Sequence, residues 1–270
     1  MLSCISKEFA LEVKGRKINS TMISPLDGSL AEDPILLLAA GGDRHTSLAI
    51  HPFCMQAEQF LEAGNRVLSF DMPNHGERVN SFGSEITGLR NAFVSGSDPF
   101  KMFVEEASAI IDYCIEHGFA RPGRVAVCGT SRAGYMALRL MAEDNRVFAA
   151  AALAPVTDWC YLSEFSDEKD RADVKNLRLS LYCKGLVGKP VFLAIGNHDE
   201  RVSTASCCRF YLNLLDENAA NGYDSSNIDF YCTDDIGHSL GDYWRKLGGE
   251  FLLKKATDEN IMRRQMFPPL

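Results

Sequence analysis

Two kinds of apolar pattern alternate along the chain. Continuous apolar runs of strand length include PILLLAA, RVLSFDMP, RVAVCG, VFAAAALAP and KPVFLAIG, and amphipathic stretches of helical length such as KMFVEEASAIIDYCIEHG and SCCRFYLNLLDEN lie between or after them. A strand that is apolar throughout is typical of a parallel sheet covered on both faces. The alternation therefore predicts an α/β fold with a mostly parallel sheet, right-handed crossovers and flanking helices.

The two ends of the chain complete this sheet. KEFALEV and KINSTMIS alternate apolar and polar residues, which predicts an antiparallel pair at one sheet edge. NIDFYCT predicts a last strand, and the segment from about Tyr243 to Lys255 predicts a last helix. Together the runs predict an eight-stranded sheet in a single domain over residues 1–270, with no repeat or linker dividing it.

Two segments interrupt the alternation. Residues 78–98 are too long for an ordinary connection, and residues 158–188 separate two strands and carry Trp159, Tyr161 and Phe165. Both follow the carboxyl end of a strand, where α/β sheets bind their ligands. Residues 158–188 are interpreted either as a small helical insertion forming a partial lid, or as a surface pair of helices with a solvated charged face.

Composition and charge exclude several classes of function. Apolar residues make up 46% and charged residues 24% of the chain, which is ordinary for a soluble globular protein. The net charge of −8 and the lack of a basic block argue against nucleic acid and anionic lipid as partners. No apolar run approaches the roughly 18 residues of a membrane span, and the first residues lack the apolar core of a signal peptide. A cytoplasmic protein is expected.

The cysteines and the glycine motifs favour neither disulfides nor cofactors. The nine cysteines are odd in number and irregularly spaced, which indicates reduced thiols. No C-x-x-C pair supports a zinc site. No P-loop or G-x-G-x-x-G follows a strand, so nucleotide binding has no motif to support it. Neither a metal nor an organic cofactor is expected.

The stretch RVAVCGTSRAGYMALRLM, residues 124–141, passes from strand to helix through a serine. A nucleophile elbow needs small residues two before and two after that serine, because strand and helix approach closely there. Gly129 and Ala133 occupy those positions around Ser131, with Gly134 next. The alternative interpretation is a plain turn with Ser131 as the helix N-cap.

A serine nucleophile requires a base and an acid, which follow in the order Ser, Asp, His in this type of fold. Asp199 follows the strand KPVFLAIG, and Asp158, after VFAAAALAP, is the alternative acid. His238 lies in the loop between the last strand and the last helix. His117 ends a helix and His198 adjoins the proposed acid, so Ser131, Asp199 and His238 are the predicted catalytic residues.

These residues together resemble the α/β-hydrolase superfamily over nearly the whole chain. The chain is similar to the dienelactone-hydrolase-like carboxylesterases and to the catalytic domain of the prolyl oligopeptidase family. The shared motifs are GTSRAG, GNHDERV, GHSL and FDMPNHGER. In FDMPNHGER the family often has an aspartate followed by His-Gly, here Asp71, His75 and Gly76. The resemblance implies that these order loops beside the site, with substrate contact by His75 or Arg78 as the alternative.

The loop after the third strand departs from the family pattern. The family commonly has His-Gly there, followed by a residue whose backbone N–H serves the oxyanion hole, but this chain has Ala40 in the histidine's place in LLLAAGGDRHTS. The resemblance implies Gly42 as the backbone donor, or Asp43 if the loop is shifted by one residue. The N–H of Arg132 is the expected second donor. An acidic Asp43 there would be unfavourable unless it turned away or paired with Arg44.

The resemblance implies a serine hydrolase that acts through an acyl-enzyme on a small-molecule ester or short peptide. At 270 residues the chain is expected to lack room for a propeller domain, which favours carboxylic esters of small to medium acyl groups. A peptidase of the prolyl oligopeptidase type is the alternative. Dienelactone hydrolysis is disfavoured because it uses a cysteine nucleophile, and Cys128 lies in a strand. A non-catalytic binding protein on the same fold is the alternative of another class.

Overall fold

Eight strands form one sheet in the computed structural model of the protein, which describes residues 4–26, 28–238 and 241–258. The strand order across the sheet is β1-β2-β4-β3-β5-β6-β7-β8. The strands are β1 Cys4–Val13, β2 Arg16–Pro25, β3 Leu36–Ala39, β4 Arg66–Phe70, β5 Val125–Thr130, β6 Val147–Leu153, β7 Val191–His198 and β8 Ile228–Ile236.

Helices cover both faces of this sheet. They are α1 Arg44–Ala49, α2 Met55–Glu62, α3 Glu85–Val94, α4 Pro99–Glu116, α5 Arg132–Glu143, α6 Ala172–Lys175, α7 Thr204–Ala220 and α8 Asp242–Ala256. The predicted eight-stranded, mostly parallel sheet with flanking helices is confirmed.

The pattern of burial explains which strands are parallel. Every residue of β3 and β6 is buried. The pairs β4–β3, β3–β5, β5–β6, β6–β7 and β7–β8 are parallel, whereas β4 pairs with β2 in antiparallel orientation. β1 and β2 form the predicted antiparallel edge pair, joined by Lys14 and Gly15 at φ 51° and 75°. Two central residues with positive φ are typical of the tight turn that matches the twist of a hairpin. Because β3, β5, β7 and β8 are parallel, their carboxyl ends meet at one edge of the sheet.

The first insertion contains a helix that the sequence pattern did not predict. Helix α3 occupies Glu85–Val94, and its Ile86 and Leu89 are buried. Glu85 and Ile86 also line the cavity described below. This segment therefore closes one wall of that cavity.

The second insertion, residues 158–188, is built of α6 and short 3-10 turns. Trp159 is fully buried, with its ring centroid 4.6 Å from that of Phe100 and 5.2 Å from that of Tyr135. Phe165 is also fully buried and packs on Trp159 at 5.4 Å. The segment is thus anchored in the core by two aromatic side chains, and its role as a partial lid stays a prediction.

All nine cysteines are free thiols. Five of them are buried, in keeping with the behaviour of cysteine as a small apolar residue. Cys232 is exposed, because β8 lies at the sheet edge and only one of its faces is covered.

Candidate active site

Ser131 lies at a sharp turn between β5 and α5. Its φ of 58° and ψ of −120° are rare for a residue with a side chain, and two backbone bonds hold them. The Ser131 N–H donates to the Leu153 carbonyl at 2.8 Å, and the Ser131 carbonyl accepts from Val156 at 3.1 Å. The Ser131 side chain makes no capping hydrogen bond to α5, which disfavours the N-cap interpretation.

The small residues of the elbow are required by close backbone contacts. A Cβ on Gly129 would overlap the carbonyl group of Ala133 and stand 2.9 Å from the Gly134 nitrogen. A Cβ on Gly134 would stand 3.1 Å from Pro155 Cβ. Ala133 itself is accommodated and is 3% exposed, so alanine instead of glycine at this position does not disturb the turn.

Asp199 and His238 contact each other across the ends of β7 and β8. His238 Nδ1 lies 2.7 Å from Asp199 Oδ2. The other carboxylate oxygen, Oδ1, accepts from the backbone N–H groups of Arg201 at 2.9 Å and Val202 at 3.1 Å. The Asp199 side chain is 1% exposed, whereas that of His238 is 27% exposed. This arrangement fixes the ring so that Nδ1 carries the proton and Nε2 is free to act as a base.

The carboxylate of Asp158, the alternative acid, is engaged by groups other than His238. Its carboxylate accepts from the backbone N–H of Cys160 at 3.0 Å and lies 2.8 Å from Arg178 Nε. It lines a separate cavity together with Arg209, and His238 does not line that cavity.

Ser131 and His238 line one cavity of about 550 Å³ at the carboxyl edge of the sheet. The same cavity is lined by Gly42, by Ile86 and by the side chains of three arginines. Its volume falls within the range of small-molecule sites, and perturbed polar groups converge on it, as is typical of active sites.

The loop after β3 brings Gly42 to this cavity. A Cβ on Gly42 would stand 3.1 Å both from Arg132 Nη2 and from His75 Cδ2, so the loop packs against both side chains. The Gly42 carbonyl accepts from the Met72 N–H at 3.1 Å. Arg132, as the first residue of α5, has a backbone N–H without a partner within the helix.

Asp43 is the N-cap of α1. Its Oδ1 accepts from the Thr46 N–H and its Oδ2 from the Thr46 hydroxyl, both at 2.8 Å. Burial opposes the charge, but the hydrogen bonds from Thr46 prevail and hold the pKa of the Asp43 carboxyl below its ordinary value. The carboxylate is thus engaged by its own helix. It does not pair with Arg44, whose guanidinium contacts Asp71 and Glu77 instead.

His75 supports the site indirectly through Arg132. Arg132 Nε donates to His75 Nε2 at 2.7 Å, and His75 Nδ1 lies 2.8 Å from the Pro73 carbonyl. Because arginine can only donate, the His75 proton must be on Nδ1. Burial and, second, the Arg132 guanidinium lower the pKa of His75 to about 4. His75 is therefore a neutral acceptor that orients Arg132.

The rest of the loop after β4 is held by buried ion pairs. Asp71 accepts from the backbone N–H of Arg44 at 3.0 Å and of Glu77 at 2.9 Å. Arg78 forms two hydrogen bonds, of 2.7 and 2.8 Å, with the fully buried Glu106. Neither Asp71 nor Arg78 lines the cavity of Ser131.

The two other histidines that the sequence analysis considered lie outside the cavity. His117 caps α4, with Nδ1 2.8 Å from the Tyr113 carbonyl. His198 is exposed and lies 3.9 Å from Asp234. In the described part of the chain, no three His, Cys, Asp or Glu side chains gather as a metal site would require. None of the helices in residues 4–26, 28–238 and 241–258 has the length and apolar character needed to cross a bilayer.

Sequence reasoning missed several polar side chains that line the cavity. Arg201 makes two hydrogen bonds, of 2.6 and 2.8 Å, to Glu164 of the second insertion. Arg245 comes from α8, and Glu85 from the unpredicted α3. The guanidinium of Arg132 was also missed, since only its backbone N–H was considered. No motif marks these residues, because they meet only through the packing of distant segments.

Comparisons with known proteins agree with this architecture. A family profile described as the prolyl oligopeptidase family matches residues 100–246, a little over half of the chain. These residues include both sides of the elbow, Asp199 and His238. No curated protein matches the chain at a significant level of sequence similarity.

Solved structures share the fold at low sequence identity. A cold-adapted esterase from an Arctic intertidal metagenomic library is 19% identical, with a TM-score of 0.65 over 98% of this chain and 95% of that one. An esterase of Pyrococcus furiosus is 20% identical, with a TM-score of 0.66 over 93% and 92%. Dipeptidyl peptidase 4 of Porphyromonas gingivalis is 15% identical, with a TM-score of 0.64 over 92% of this chain and 35% of its own length.

Proposed function

The chain belongs to the prolyl oligopeptidase family of α/β-hydrolases, and from this premise we propose that it is a serine hydrolase with Ser131 as its nucleophile. The observation that carries the proposal is a strained serine that lines the same cavity as a histidine hydrogen-bonded to a buried carboxylate. Ser131 and His238 share one cavity, and His238 lies 2.7 Å from Asp199.

In the proposed mechanism Ser131 Oγ attacks an acyl carbonyl carbon while His238 Nε2 takes the hydroxyl proton. The resulting imidazolium is stabilised by Asp199, which stays ionised and keeps the ring in place. The imidazolium then protonates the leaving group as the tetrahedral intermediate collapses. Water, deprotonated by the same histidine, hydrolyses the acyl-enzyme and restores the serine.

Backbone N–H groups of Gly42 and Arg132 are the proposed oxyanion donors. Both residues line the cavity with Ser131, and the N-terminus of α5 adds its positive dipole end. The Asp43 side chain caps α1 by accepting hydrogen bonds from Thr46. This supports the assignment, because the carboxylate is engaged by α1. Each donor of this kind contributes about 10²- to 10³-fold in rate.

Carboxylic esters of small to medium acyl groups are the proposed substrates. A cavity of about 550 Å³ has room for such an acyl group and a compact alcohol. Two of the solved structures that share the fold are esterases, which fits this choice.

A peptidase or aminoacyl hydrolase is the second candidate. The family match favours it, as does the likeness to a dipeptidyl peptidase. Hydrolysis of an amide uses the same nucleophile, base and oxyanion donors, so the two candidates differ in the substrate and not in the machinery.

A panel of substrates tests the proposal and separates the two candidates. We expect p-nitrophenyl acetate, butyrate and octanoate to be hydrolysed with a kcat/KM that peaks at a short or medium chain. Aminoacyl and dipeptidyl p-nitroanilides should be turned over at least about 100-fold more slowly. Faster cleavage of the anilides would favour the peptidase. Activity that survived unchanged in Ser131→Ala would overturn both candidates.

A further inference from the structure

Arg245 is a buried cation at the wall of the proposed active site. It is 3% exposed, lies on α8 and lines the cavity together with Ser131. Its Nη1 makes one long hydrogen bond of 3.3 Å to the hydroxyl of Thr130, the residue directly before Ser131. Its Nε is buried and has no hydrogen-bond partner in the described part of the chain.

The other two arginines of the cavity each have a carboxylate nearby, and Arg245 differs from them in this respect. Arg201 lies 2.6 Å from Glu164, and Arg132 lies 3.8 Å from Glu85. Arg245 has no carboxylate within 4.0 Å among residues 4–26, 28–238 and 241–258. The charge of Asp242, on the first turn of α8, opposes the lowering of the Arg245 pKa by burial, but this carboxylate is exposed.

The missing counter-ion is energetically unusual. An arginine stays protonated at any physiological pH, and burying it without a partner is strongly unfavourable. The ring of Phe53, 4.6 Å from the guanidinium carbon, offsets part of this penalty by a cation–π contact. It offers no hydrogen-bond acceptor, however, so it does not satisfy the donors of the guanidinium.

Gln56 adds a second polar group on the same side of the cavity. It is 3% exposed and lines the cavity, and its Nε2 has no hydrogen-bond partner among the residues that the structure describes. This amide lies against α8, so that a Cβ on Gly248 would stand 2.9 Å from it. Two adjacent elements, α2 and α8, thus bring two incompletely bonded polar side chains to one part of the wall.

We infer that Arg245 binds a carboxylate carried by the substrate itself. The hydrolysed ester or amide is then one with an acidic group in its acyl or its alcohol part. A substrate carboxylate would accept hydrogen bonds from the guanidinium and supply the counter-ion that the described residues do not provide. This inference deepens the proposed function and rests on it, because it assigns the substrate class of the same site.

Matched substrates test the inference. With 4-nitrophenyl hemisuccinate against 4-nitrophenyl butyrate, and 4-acetoxybenzoate against phenyl acetate, the anionic member of one pair should have at least about 10-fold higher kcat/KM. Arg245→Gln should lower the anionic-to-neutral ratio of that pair by about 10- to 100-fold, as expected for the loss of charge-assisted hydrogen bonds. The pair that responds tells which part of the substrate carries the acid.

Lys246→Gln is the matched control. It removes a positive charge from the neighbouring position of α8, where the side chain is 64% exposed, and should leave the ratio unchanged. An anionic-to-neutral ratio of kcat/KM near one for both pairs in the unmutated protein would overturn the inference. An equal fall of the anionic-to-neutral ratio in Lys246→Gln would also overturn the inference, because the effect would then come from the overall charge of the protein.

Binding without catalysis separates this inference from the proposed function. In Ser131→Ala, monomethyl succinate should raise the Tm more than dimethyl succinate does, and adding Arg245→Gln should abolish the difference. If the unmutated protein hydrolysed no ester, the proposed function would fail. The Tm difference between the two succinates would still show whether Arg245 binds a carboxylate. Arg245→Gln itself should keep or raise the Tm; a large drop, with no Tm difference between the ligands, would make Arg245 a structural residue.

Discussion

Two histidines reach the region of Ser131 from two different loops. His75, in the loop after β4, has its Nε2 bonded to an arginine, and its pKa is lowered to about 4. His238, in the loop after β8, has its Nδ1 bonded to a carboxylate, and the residue lines the cavity of Ser131. One ring cannot accept a proton at neutral pH without repelling its partner. The other is hydrogen-bonded through Nδ1 to a buried carboxylate.

The difference shows that the neighbour decides what a histidine does. A buried histidine beside a guanidinium serves as a neutral acceptor that orients its partner. A partly exposed histidine beside a buried carboxylate is suited to move a proton. The following predictions test whether this division of roles holds.

The largest expected effect follows from His238→Ala. Removing the base should lower kcat for ester hydrolysis by about 10⁶-fold, because nucleophile and base act as one unit. Steady-state kinetics with p-nitrophenyl butyrate measures the loss. His198→Ala, which removes an exposed histidine one residue before Asp199, is the control and should retain activity. A loss below about 100-fold in His238→Ala would reject it as the base.

Asp199→Asn should lower kcat by about 10⁴-fold, less than the loss of the base, because orientation of the ring is lost while the imidazole remains. The matched control is Asp158→Asn, whose carboxylate pairs with Arg178 and not with His238. A greater loss of kcat in Asp158→Asn than in Asp199→Asn would make Asp158 the acid.

His75 should make the free energy of unfolding depend on pH. Its folded pKa is about 4 and its ordinary value 6.5, so the unfolded chain takes up the proton first as the pH falls. Stability is therefore undiminished above pH 6.5 and falls between pH 6.5 and 4 by up to about 3 kcal/mol.

His75→Gln should remove this part of the pH dependence, since a glutamine oxygen still accepts from Arg132 but does not titrate. Urea unfolding between pH 4 and 8 measures it, and His117→Gln, at an exposed histidine, is the control. A pH dependence identical in His75→Gln and the unmutated protein would contradict the buried, neutral state of His75.

The smallest effect is expected for the Arg132 side chain. Arg132→Gln keeps the backbone N–H but loses the guanidinium that packs between His75 and Gly42. We expect kcat/KM to fall about 10-fold, the value of one net hydrogen bond. A fall beyond about 10⁴-fold would place the guanidinium itself in the chemistry.

Much of the fold could be predicted because it is determined by short, local sequence patterns. The strand runs, the hairpin at the edge and the turn at Ser131 each occupy one short stretch with its own pattern. Asp199 and His238 lie 2.7 Å apart at one edge, where the order of the strands led us to expect them, since strands of a parallel sheet end together.

Other features could not be predicted, since they depend on distant contacts. Helix α3 lies in a segment rich in glycine and serine, and its Ile86 and Leu89 become buried only against the assembled core. The link from Arg132 to His75 joins residues 57 positions apart, and that from Arg245 to Thr130 joins residues 115 positions apart. No local pattern could reveal that Arg245 has no carboxylate partner within the described residues.

Labelling with a fluorophosphonate, followed by peptide mass spectrometry, tests the central claim most directly. Ser131 is expected to carry the phosphonyl group in the unmutated protein, because only a serine activated by a neighbouring base reacts readily. Ser131→Ala should remain unlabelled, and His238→Ala should react far more slowly. Attachment of the label to another residue, or equal labelling of Ser131→Ala, would contradict the account.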